Sequence, residues 1–371
     1  MSIQPPVATS EHDIALIGAG PIGIELAVAF RRAGLDYVHI EAGCIGSTIA
    51  WWAPGTRFFS SPERIAISGV PLVVAGQEKA SREEYLGYLR GVVEQFDLPI
   101  RQFERVTGAT RHAGGFELQT RRSSHGVGGP LEGQHDSAPL RTPPSRIRAK
   151  RIVLAIGNMH RPRLLNVPGE ELSHVSHYLA DPHLYTRRRV VIVGGRNSAV
   201  EAAIRLYRVG ANVTLIHRRI ELARDRIKYW LLPELEWLIA QRRINWRPAT
   251  VVERIDTASV TLRADGGKAA AESVEADAVL LLTGYVQSPE LFDLLGIARI
   301  GPDARPEINE ATMESNVPGV YVAGTATGGS QAKVTVFIEN AHEHVARIIR
   351  SLTGRSVPSE SSTVWQGMEE S

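Results

Sequence analysis

Short apolar runs alternate along the chain with longer segments in which apolar residues recur at helical spacing. The short runs predict buried strands and the longer segments predict helices, an order typical of α/β proteins with parallel sheets. Predicted strands begin at residues 13 and 190 and others lie at 38–41, 103–107, 116–120, 151–158, 212–217, 276–282 and 319–324. Predicted helices lie at 81–96, 198–209 and 331–352, and Ser81 and Glu84 have the spacing of a capping box at the start of the first of these.

The first strand runs directly into a glycine-rich turn that opens a helix. Gly18, Gly20 and Gly23 are spaced as in a turn that holds a dinucleotide pyrophosphate at a helix N-terminus, and Pro21 lies within that turn. Glu41 ends the next strand, close to the spacing at which a carboxylate meets an adenosine ribose. The segment therefore predicts one dinucleotide-binding βαβ unit.

A second glycine-rich turn follows the strand that begins at residue 190. The residues predicted to lie against its dinucleotide are Gly194, Gly195, Arg196, Asn197 and Ser198. Arg196 occupies the position of the second glycine, and its side chain is predicted to meet a phosphate. Two such turns predict two dinucleotides, and the usual reason to hold two is electron transfer between them.

The two units end their second strands with opposite charges. Glu41 accepts hydrogen bonds from ribose hydroxyls and repels a 2′-phosphate, which suits FAD or NAD. Arg218 and Arg219 stand at the matching place in the second unit, where guanidinium groups pair with a phosphate. FAD at the first turn and NADPH at the second is the consistent assignment; a solvated basic strand end is the alternative for the arginines.

Composition narrows the partners and the chemistry. The chain has 371 residues, of which 43% are apolar, and its formal net charge of +2 argues neither for nor against nucleic acid. The basic residues are spread out apart from short runs, and no nucleic-acid partner is expected. No apolar run is long enough to span a bilayer and no signal peptide is evident, which predicts a cytoplasmic protein without a membrane partner. Cys44 is the only cysteine, which excludes an internal disulfide and a Cys-x-x-Cys redox pair. Histidines 160, 174 and 177 lack metal-ligand spacing, so no metal site is predicted.

The order of the elements predicts one domain inserted into another. The fold class is α/β, with two Rossmann-like dinucleotide-binding domains, the NADPH domain being inserted into the FAD domain. The predicted boundaries are 1–168 and 286–354 for the FAD domain, 169–285 for the NAD(P)H domain, and 355–371 for a polar tail. Residues 121–150 are rich in Arg, Ser, Gly and Pro and are predicted to be an insertion without a catalytic role.

On these motifs the chain resembles the thioredoxin-reductase and pyridine-nucleotide-disulfide-oxidoreductase superfamily. Within it, the chain is similar to the bacillithiol-disulfide-reductase-like (YpdA-type) flavoproteins over roughly residues 12–352. The stretches that carry the resemblance are 58–63, 175–178, 194–201, 227–233 and 337–340. The resemblance implies a homo-oligomer that binds FAD and NADPH.

The resemblance also assigns residues to each cofactor. It places FAD along Gly18, Gly20, Pro21, Gly23 and Glu41, with Val106 near the adenine, Gly157 near the pyrophosphate and Gly324 near the ribityl chain. It assigns NADPH to Gly194, Asn197, Ser198, Arg218 and Arg219. The chain departs from the superfamily at Thr325, where an aspartate is usual, and from the bacillithiol-linked members at Ile22, where they have a cysteine.

Two residues are candidates for catalysis. Cys44 is predicted either to form a mixed disulfide with a small substrate, if its pKa is lowered, or to be a buried, unreactive side chain. Its neighbour Ser47 is predicted to contact the first cofactor. Lys333 is placed near the N-terminus of the last predicted helix, where it would face the flavin; a surface lysine is the alternative. The aromatic residues Trp51, Trp52, Phe58 and Phe59 are predicted to be core or to line the flavin pocket.

The sequence predicts an FAD-dependent NADPH oxidoreductase, and the resemblance implies a low-molecular-weight disulfide as its electron acceptor. One alternative is a flavin reductase with a quinone, a ferredoxin-like protein or oxygen as acceptor, including a monooxygenase, and the missing cysteines favour this class. The other is a redox-sensing module that binds FAD and NADPH without catalysis.

Overall fold

The computed structural model describes residues 9–76, 78–122, 144–265, 270–331 and 334–355. The strands are β1 (Thr9–Ile17), β2 (Tyr37–Ile40), β3 (Ile100–Arg101), β4 (Glu104–His112), β5 (Gly115–Arg122), β6 (Ser145–Leu154), β7 (Arg161–Pro162), β8 (Val175–Ser176), β9 (Arg189–Val193), β10 (Asn212–Ile216), β11 (Asn245–Arg247), β12 (Thr250–Asp256), β13 (Ser259–Ala264), β14 (Glu272–Glu275), β15 (Ala278–Leu281), β16 (Tyr285–Val286), β17 (Arg299–Ile300), β18 (Arg305–Pro306) and β19 (Val320–Val322). The α-helices are α1 (Pro21–Arg32), α2 (Ser47–Ala50), α3 (Pro62–Ile65), α4 (Arg82–Gln95), α5 (Asn197–Arg208), α6 (Leu232–Ala240), α7 (Glu290–Leu295) and α8 (His342–Thr353). Single 3₁₀ turns lie at Pro182–Tyr185, Arg224–Arg226 and Gly324–Gly328.

The chain folds as two compact units. The described residues of Met1–Trp51, Arg57–Arg161 and Tyr285–Glu370 form the first unit, and Trp52–Thr56 with the described residues of Pro162–Gly284 form the second. The chain ends thus build one unit, and a continuous central segment builds most of the other.

The first unit is organised by a seven-stranded mixed sheet. Its strand order is β3-β2-β1-β6-β5-β4, and β19 also pairs with β6. The strands β2, β1, β6 and β19 run parallel, whereas β5 is antiparallel to both β6 and β4. Residues 14–17 of β1 are all buried, as expected for a strand covered on both faces. The capping box predicted at Ser81 and Glu84 is present at the start of α4.

The second unit contains a fully parallel sheet in the order β11-β10-β9-β15-β8. Alternate residues of β9 face two different cores: Val190 and Ile192 pack with helix α5, and Val191 and Val193 pack under the β12-β13-β14 sheet. Because both faces of β9 are buried, its sequence is a continuous apolar run. The architecture is α/β with two dinucleotide-binding sheets, which confirms the predicted fold class.

The last helix is shorter than the sequence predicts. It begins at His342 rather than at residue 331, and residues 334–341 are not helical. The side chain of Gln331 accepts the N–H groups of Thr335 and Val336, and that of Asn340 accepts the N–H of Phe337. These local side-chain bonds replace helical ones in a β-branched stretch of weak helix propensity. Lys333, whose predicted role depended on the longer helix, lies outside the described residues.

Part of the predicted insertion, residues 121–150, belongs instead to two strands of the sheet. Arg121 and Arg122 belong to β5 and pair with Arg105 and Glu104 of β4. Residues 145–150 belong to β6, in which residues 145–149 pair with residues 116–120 of β5. Residues 123–143 and most of the predicted polar tail lie outside the described residues. Within the described part of the chain, no helix is long and apolar enough to cross a membrane.

Candidate functional site: two glycine turns with opposite charge

The first glycine turn is held by two close backbone approaches. Gly18 has φ +105°, and a Cβ added to it would lie 2.4 Å from the carbonyl oxygen of Ala155. A Cβ on Gly23 would lie 1.9 Å from the carbonyl oxygen of Gly18. Around Gly20, by contrast, no described atom comes within 4 Å of such a Cβ. Helix α1 begins at Pro21, so its first N–H groups have no intrahelical acceptor and can meet an anion at this turn.

Glu41, directly after β2, is buried beside this turn. Its Oε2 accepts the N–H of Ala19 at 2.6 Å, and its Oε1 accepts the N–H of Gly43 at 2.7 Å and the hydroxyl of Ser47 at 3.2 Å. Burial raises the pKa of this carboxyl, and these three hydrogen bonds oppose the shift. A carboxylate has about four acceptor positions, so one remains for a ribose hydroxyl. Ser47 thus contacts Glu41 directly.

Cys44 lies close to Glu41 and is half-buried. Burial raises the pKa of its thiol, and the negative charge of Glu41 raises it further. The mixed-disulfide interpretation requires a lowered pKa, because the thiolate is the nucleophile. The environment therefore favours the unreactive alternative for Cys44.

The remaining residues assigned to FAD lie on one strand and two turns of the same unit. Val106 is buried in β4, and Gly157 has φ +74° in the turn that follows β6. Gly324 has φ +69°, and a Cβ on it would lie 3.3 Å from Cβ of Ile22. Ile22, at the position of the cysteine of the bacillithiol-linked proteins, is thus packed against the turn that carries Gly324.

Gln287 joins two of these turns, and no role for it was predicted from the sequence. Its side-chain amide donates to the carbonyl of Gly157 at 3.0 Å and to the carbonyl of Ala326 at 2.9 Å. Its own N–H donates to Ser330 Oγ at 2.9 Å. No short motif surrounds Gln287 in the sequence, so only the fold reveals this bridge.

The second glycine turn repeats the backbone geometry of the first. Gly194 has φ +156°, and a Cβ on it would lie 2.6 Å from the carbonyl oxygen of Leu282. Gly195 packs against the ring of His217, which an added Cβ would approach to 2.4 Å. Arg196 caps α5 with φ −124°, an extended conformation open to any residue, so an arginine replaces glycine here without backbone strain.

Arg196 and the four arginines whose charges act on it form what we call the arginine cluster: Arg163, Arg196, Arg218, Arg219 and Arg226. Burial lowers the pKa of Arg196, and the charges of Arg226, Arg219, Arg163 and Arg218 lower it further. Such mutual repulsion indicates concentrated positive charge, which a phosphate would relieve. The sequence predicted three members of this cluster. It missed Arg163 and Arg226, because both are distant from the turn in the sequence; Arg226 ends the 3₁₀ turn Arg224–Arg226.

Asn197 and Ser198 are the first two residues of α5. Ser198 is exposed, whereas Asn197 is half-buried and its Oδ1 accepts the N–H of Lys228 at 2.6 Å. The side-chain oxygen of Asn197 is therefore occupied by the protein, and its amide nitrogen is the group that suits a phosphate acceptor.

Other predicted features are structural or unconnected with the turns. Phe58 packs against Tyr85 with ring centroids 4.5 Å apart, and Trp51 meets the edge of Tyr285 at 5.4 Å. His160 accepts the N–H of Ser288 on Nδ1, and burial lowers its pKa to about 4. Among the described residues, no group of three His, Cys, Asp or Glu side chains could hold a metal ion.

Comparison with known proteins identifies the family. The profile of the pyridine nucleotide-disulphide oxidoreductase family matches residues 15–125 and 131–324, so the chain belongs to this family of flavoprotein oxidoreductases. It is 31% identical to the bacilliredoxin reductase Bdr of Bacillus subtilis (strain 168) over 340 residues, which cover 92% of this chain and 97% of that protein.

Two solved structures extend the comparison. The bacillithiol disulfide reductase Bdr (YpdA) from Bacillus cereus superposes with a TM-score of 0.84 at 31% identity, covering 94% of this chain and all of the other. The thioredoxin reductase of T. acidophilum gives a TM-score of 0.67 at 20% identity, with 92% and 97% covered, a likeness of fold alone. The recognised resemblance to YpdA-type flavoproteins is confirmed.

Proposed function

We propose that the chain is an NADPH-dependent FAD oxidoreductase with FAD at the first glycine turn and NADPH at the second. The observation that carries the proposal is the contrast at the ends of two equivalent strands. Glu41, a buried carboxylate, directly follows β2. Arg218 and Arg219, two members of the arginine cluster, follow β10. A carboxylate suits the ribose of FAD, and guanidinium groups suit the 2′-phosphate of NADPH.

The protein's part in this chemistry is to bind and orient. When bound, FAD would supply the redox step between NADPH and the acceptor. The N–H groups at the start of α1 would hold its pyrophosphate, and Glu41 would fix its adenosine ribose. Arg218 and Arg219 would hold the NADPH 2′-phosphate, and the side chain of Arg196 would contact the pyrophosphate. Gln287 would keep the carbonyls of Gly157 and Ala326 in place.

We further propose a low-molecular-weight disulfide as the electron acceptor. The support is the printed names of the relatives, one a bacilliredoxin reductase and one a bacillithiol disulfide reductase, at about a third identity over nearly the whole chain. A cytoplasmic location and self-association are part of the same proposal and are supported only by resemblance.

A second candidate is an acceptor that needs no protein thiol, such as a quinone, a ferredoxin-like protein or oxygen. Ile22 stands where the bacillithiol-linked proteins have a cysteine, and the pKa of the lone Cys44 is raised. A disulfide would therefore have to be reduced without help from a thiolate of this chain. This observation favours the second candidate over a thiol-assisted mechanism.

A panel of acceptors separates the two candidates. Anaerobic NADPH oxidation by the flavin-loaded protein is followed with small disulfides in one set and with a quinone or ferricyanide in the other. Turnover with a disulfide, unchanged in Cys44→Ser, supports the first proposal. Turnover with the quinone alone supports the second, and flavin reduction without any acceptor turnover would favour the redox-sensing alternative.

A further inference from the structure

The stretch 227–233, one of those that carry the family resemblance, is not explained by the two glycine turns. Lys228 within it is 7% exposed, which is unusual for a lysine. Its Nζ lies 2.9 Å from Oε2 of Glu201, and its main-chain N–H donates to Asn197. Both contacts fall on helix α5, so this stretch is docked on the first turns of the helix that opens the NADPH site.

Glu201 places a negative charge where a phosphate is to bind. It is the fifth residue of α5, about 6 Å along the axis from Asn197. The N-terminus of a helix attracts a phosphate through its dipole and its free N–H groups. An uncompensated carboxylate one turn away would oppose that attraction, and this one is only 15% exposed, so water screens it poorly.

Lys228 compensates this charge. Arg205 also approaches Glu201, with 3.7 Å between Nη1 and Oε1, but the ammonium of Lys228 is closer and more deeply buried. The same ammonium lies over the ring of Trp230, 5.7 Å from the ring centroid. Glu201 is thereby neutralised from a segment outside the βαβ unit.

The first unit has a similar arrangement, in which a histidine takes the place of the lysine. Glu25 is the fifth residue of α1, as Glu201 is of α5, and it is also buried. His342 Nδ1 lies 2.8 Å from Oε2 of Glu25. In both units, the fifth residue of the helix that follows the glycine turn is thus a buried carboxylate paired with a basic side chain from a distant segment.

We propose that Lys228 is a positioning residue for NADPH binding, which it promotes by neutralising Glu201 near the phosphate-binding end of α5. This inference rests on the proposed placement of NADPH at the second glycine turn. Lys228 would contribute in two ways: its side-chain charge acts on the phosphate by neutralising Glu201, and its main-chain N–H holds the side chain of Asn197.

Binding of NADP⁺ to the full-length, flavin-loaded protein tests the proposal by calorimetry. Lys228→Met removes the charge and keeps the main-chain bond, so NADP⁺ should bind about tenfold more weakly. Lys228→Met combined with Glu201→Gln removes both charges and should restore binding to within about threefold of the wild type. Arg208→Met is the matched control, because it breaks an exposed pair with Glu234 at the far end of the same helix.

The outcomes are separable. Unchanged affinity in Lys228→Met, or a double variant as weak as Lys228→Met, would overturn the proposal. If Lys228→Met fails to fold, Glu201→Gln alone decides: it should bind NADP⁺ at least as tightly as the wild type, and weaker binding would overturn the proposal. If the wild type itself binds NADP⁺ no better than NAD⁺, the proposed function fails instead.

Discussion

The two glycine turns share a backbone and differ in chemistry. The N–H of Gly18 donates to Ile40 and that of Gly194 donates to Ile216, the last residues of the equivalent strands β2 and β10. The next residues, Glu41 and His217, each donate their N–H to a third strand at 3.0 Å. The side chains at these strand ends differ: the first unit has the buried carboxylate of Glu41, and the second has Arg218 and Arg219 of the arginine cluster directly after His217.

We infer from this difference that one set of residues fixes the backbone of the glycine turn and that another set determines which cofactor it prefers. Glycines and apolar strands fix the turn, because a Cβ would strike a backbone carbonyl at Gly18 or Gly194. In the proposed function, the residues that follow the second strand determine whether a ribose hydroxyl or a phosphate is bound. Changes to the first set should abolish binding of a cofactor, and changes to the second should alter which cofactor is preferred.

The largest effect is expected from Gly23→Ala. The new Cβ would lie 1.9 Å from the carbonyl oxygen of Gly18, which should cost about 3 kcal/mol of stability and prevent flavin binding. Flavin absorbance per protein and thermal unfolding measure both effects. Gly91→Ala, within α4 and with no described atom within 4 Å of the new Cβ, is the control and should retain flavin. A flavin-replete Gly23→Ala variant would contradict the assigned turn.

The arginine cluster is tested by Arg218→Met with Arg219→Met. Loss of two charge-assisted contacts should reduce kcat/KM for NADPH about 100-fold and leave that for NADH nearly unchanged. The comparison of the two nucleotides in steady-state kinetics gives the result directly. Arg224→Met, which breaks an exposed pair with Glu236, should change neither value. Equal losses for both nucleotides would show that the cluster does not read the 2′-phosphate.

In the first unit, Glu41→Gln should weaken FAD binding by about 1–3 kcal/mol, because an amide cannot accept from both Ala19 and Gly43 while keeping its bond to Ser47. The dissociation constant of FAD from the reconstituted apoprotein measures the loss. Ser47→Ala removes only the longest of the three bonds and should have a smaller effect. If Ser47→Ala equals or exceeds Glu41→Gln, the carboxylate is not the main contact.

The smallest effect is expected from His342→Gln, which changes the histidine paired with Glu25. Burial lowers the pKa of His342, but the hydrogen bond and charge of Glu25 outweigh burial and leave it above 6.5. Protonation therefore stabilises the fold below about pH 6.5, and this contribution is lost as the pH rises through the raised pKa. The difference in unfolding free energy between wild type and His342→Gln should shrink from pH 6 to pH 9.

A control for this titration lies two residues further along α8. Burial lowers the pKa of His344 to about 4, so this side chain stays neutral over the same range. His344→Gln should therefore show the opposite trend. The unfolded histidine gains a proton as the pH falls through about 6.5 and the folded one does not, so the stability of the wild type relative to the variant should rise by about 1 kcal/mol from pH 6 to pH 9. A stability difference for His342→Gln that does not vary with pH would show that His342 gains no proton from its pairing with Glu25.

The sequence predicts what is encoded locally. Both turns, the capping box of α4 and the charge contrast at Glu41 and Arg218 are readable because the residues lie close together in the chain. Arg163, Gln287, Lys228 and His342 reach their sites from distant segments, and no local pattern announces them. The start of α8 was predicted wrongly because the side chains of Gln331 and Asn340 capture main-chain groups that a helix would use.

The central claim is that NADPH, held by the arginine cluster, reduces a flavin held beside Glu41. Anaerobic titration of the flavin-loaded protein with NADPH and then with NADH, while the visible flavin band is followed, tests it most directly. The account predicts that NADPH bleaches the band with about one equivalent per flavin and that NADH does so only at much higher concentration. Flavin that neither nucleotide reduces, or that NADH reduces equally well, would contradict it.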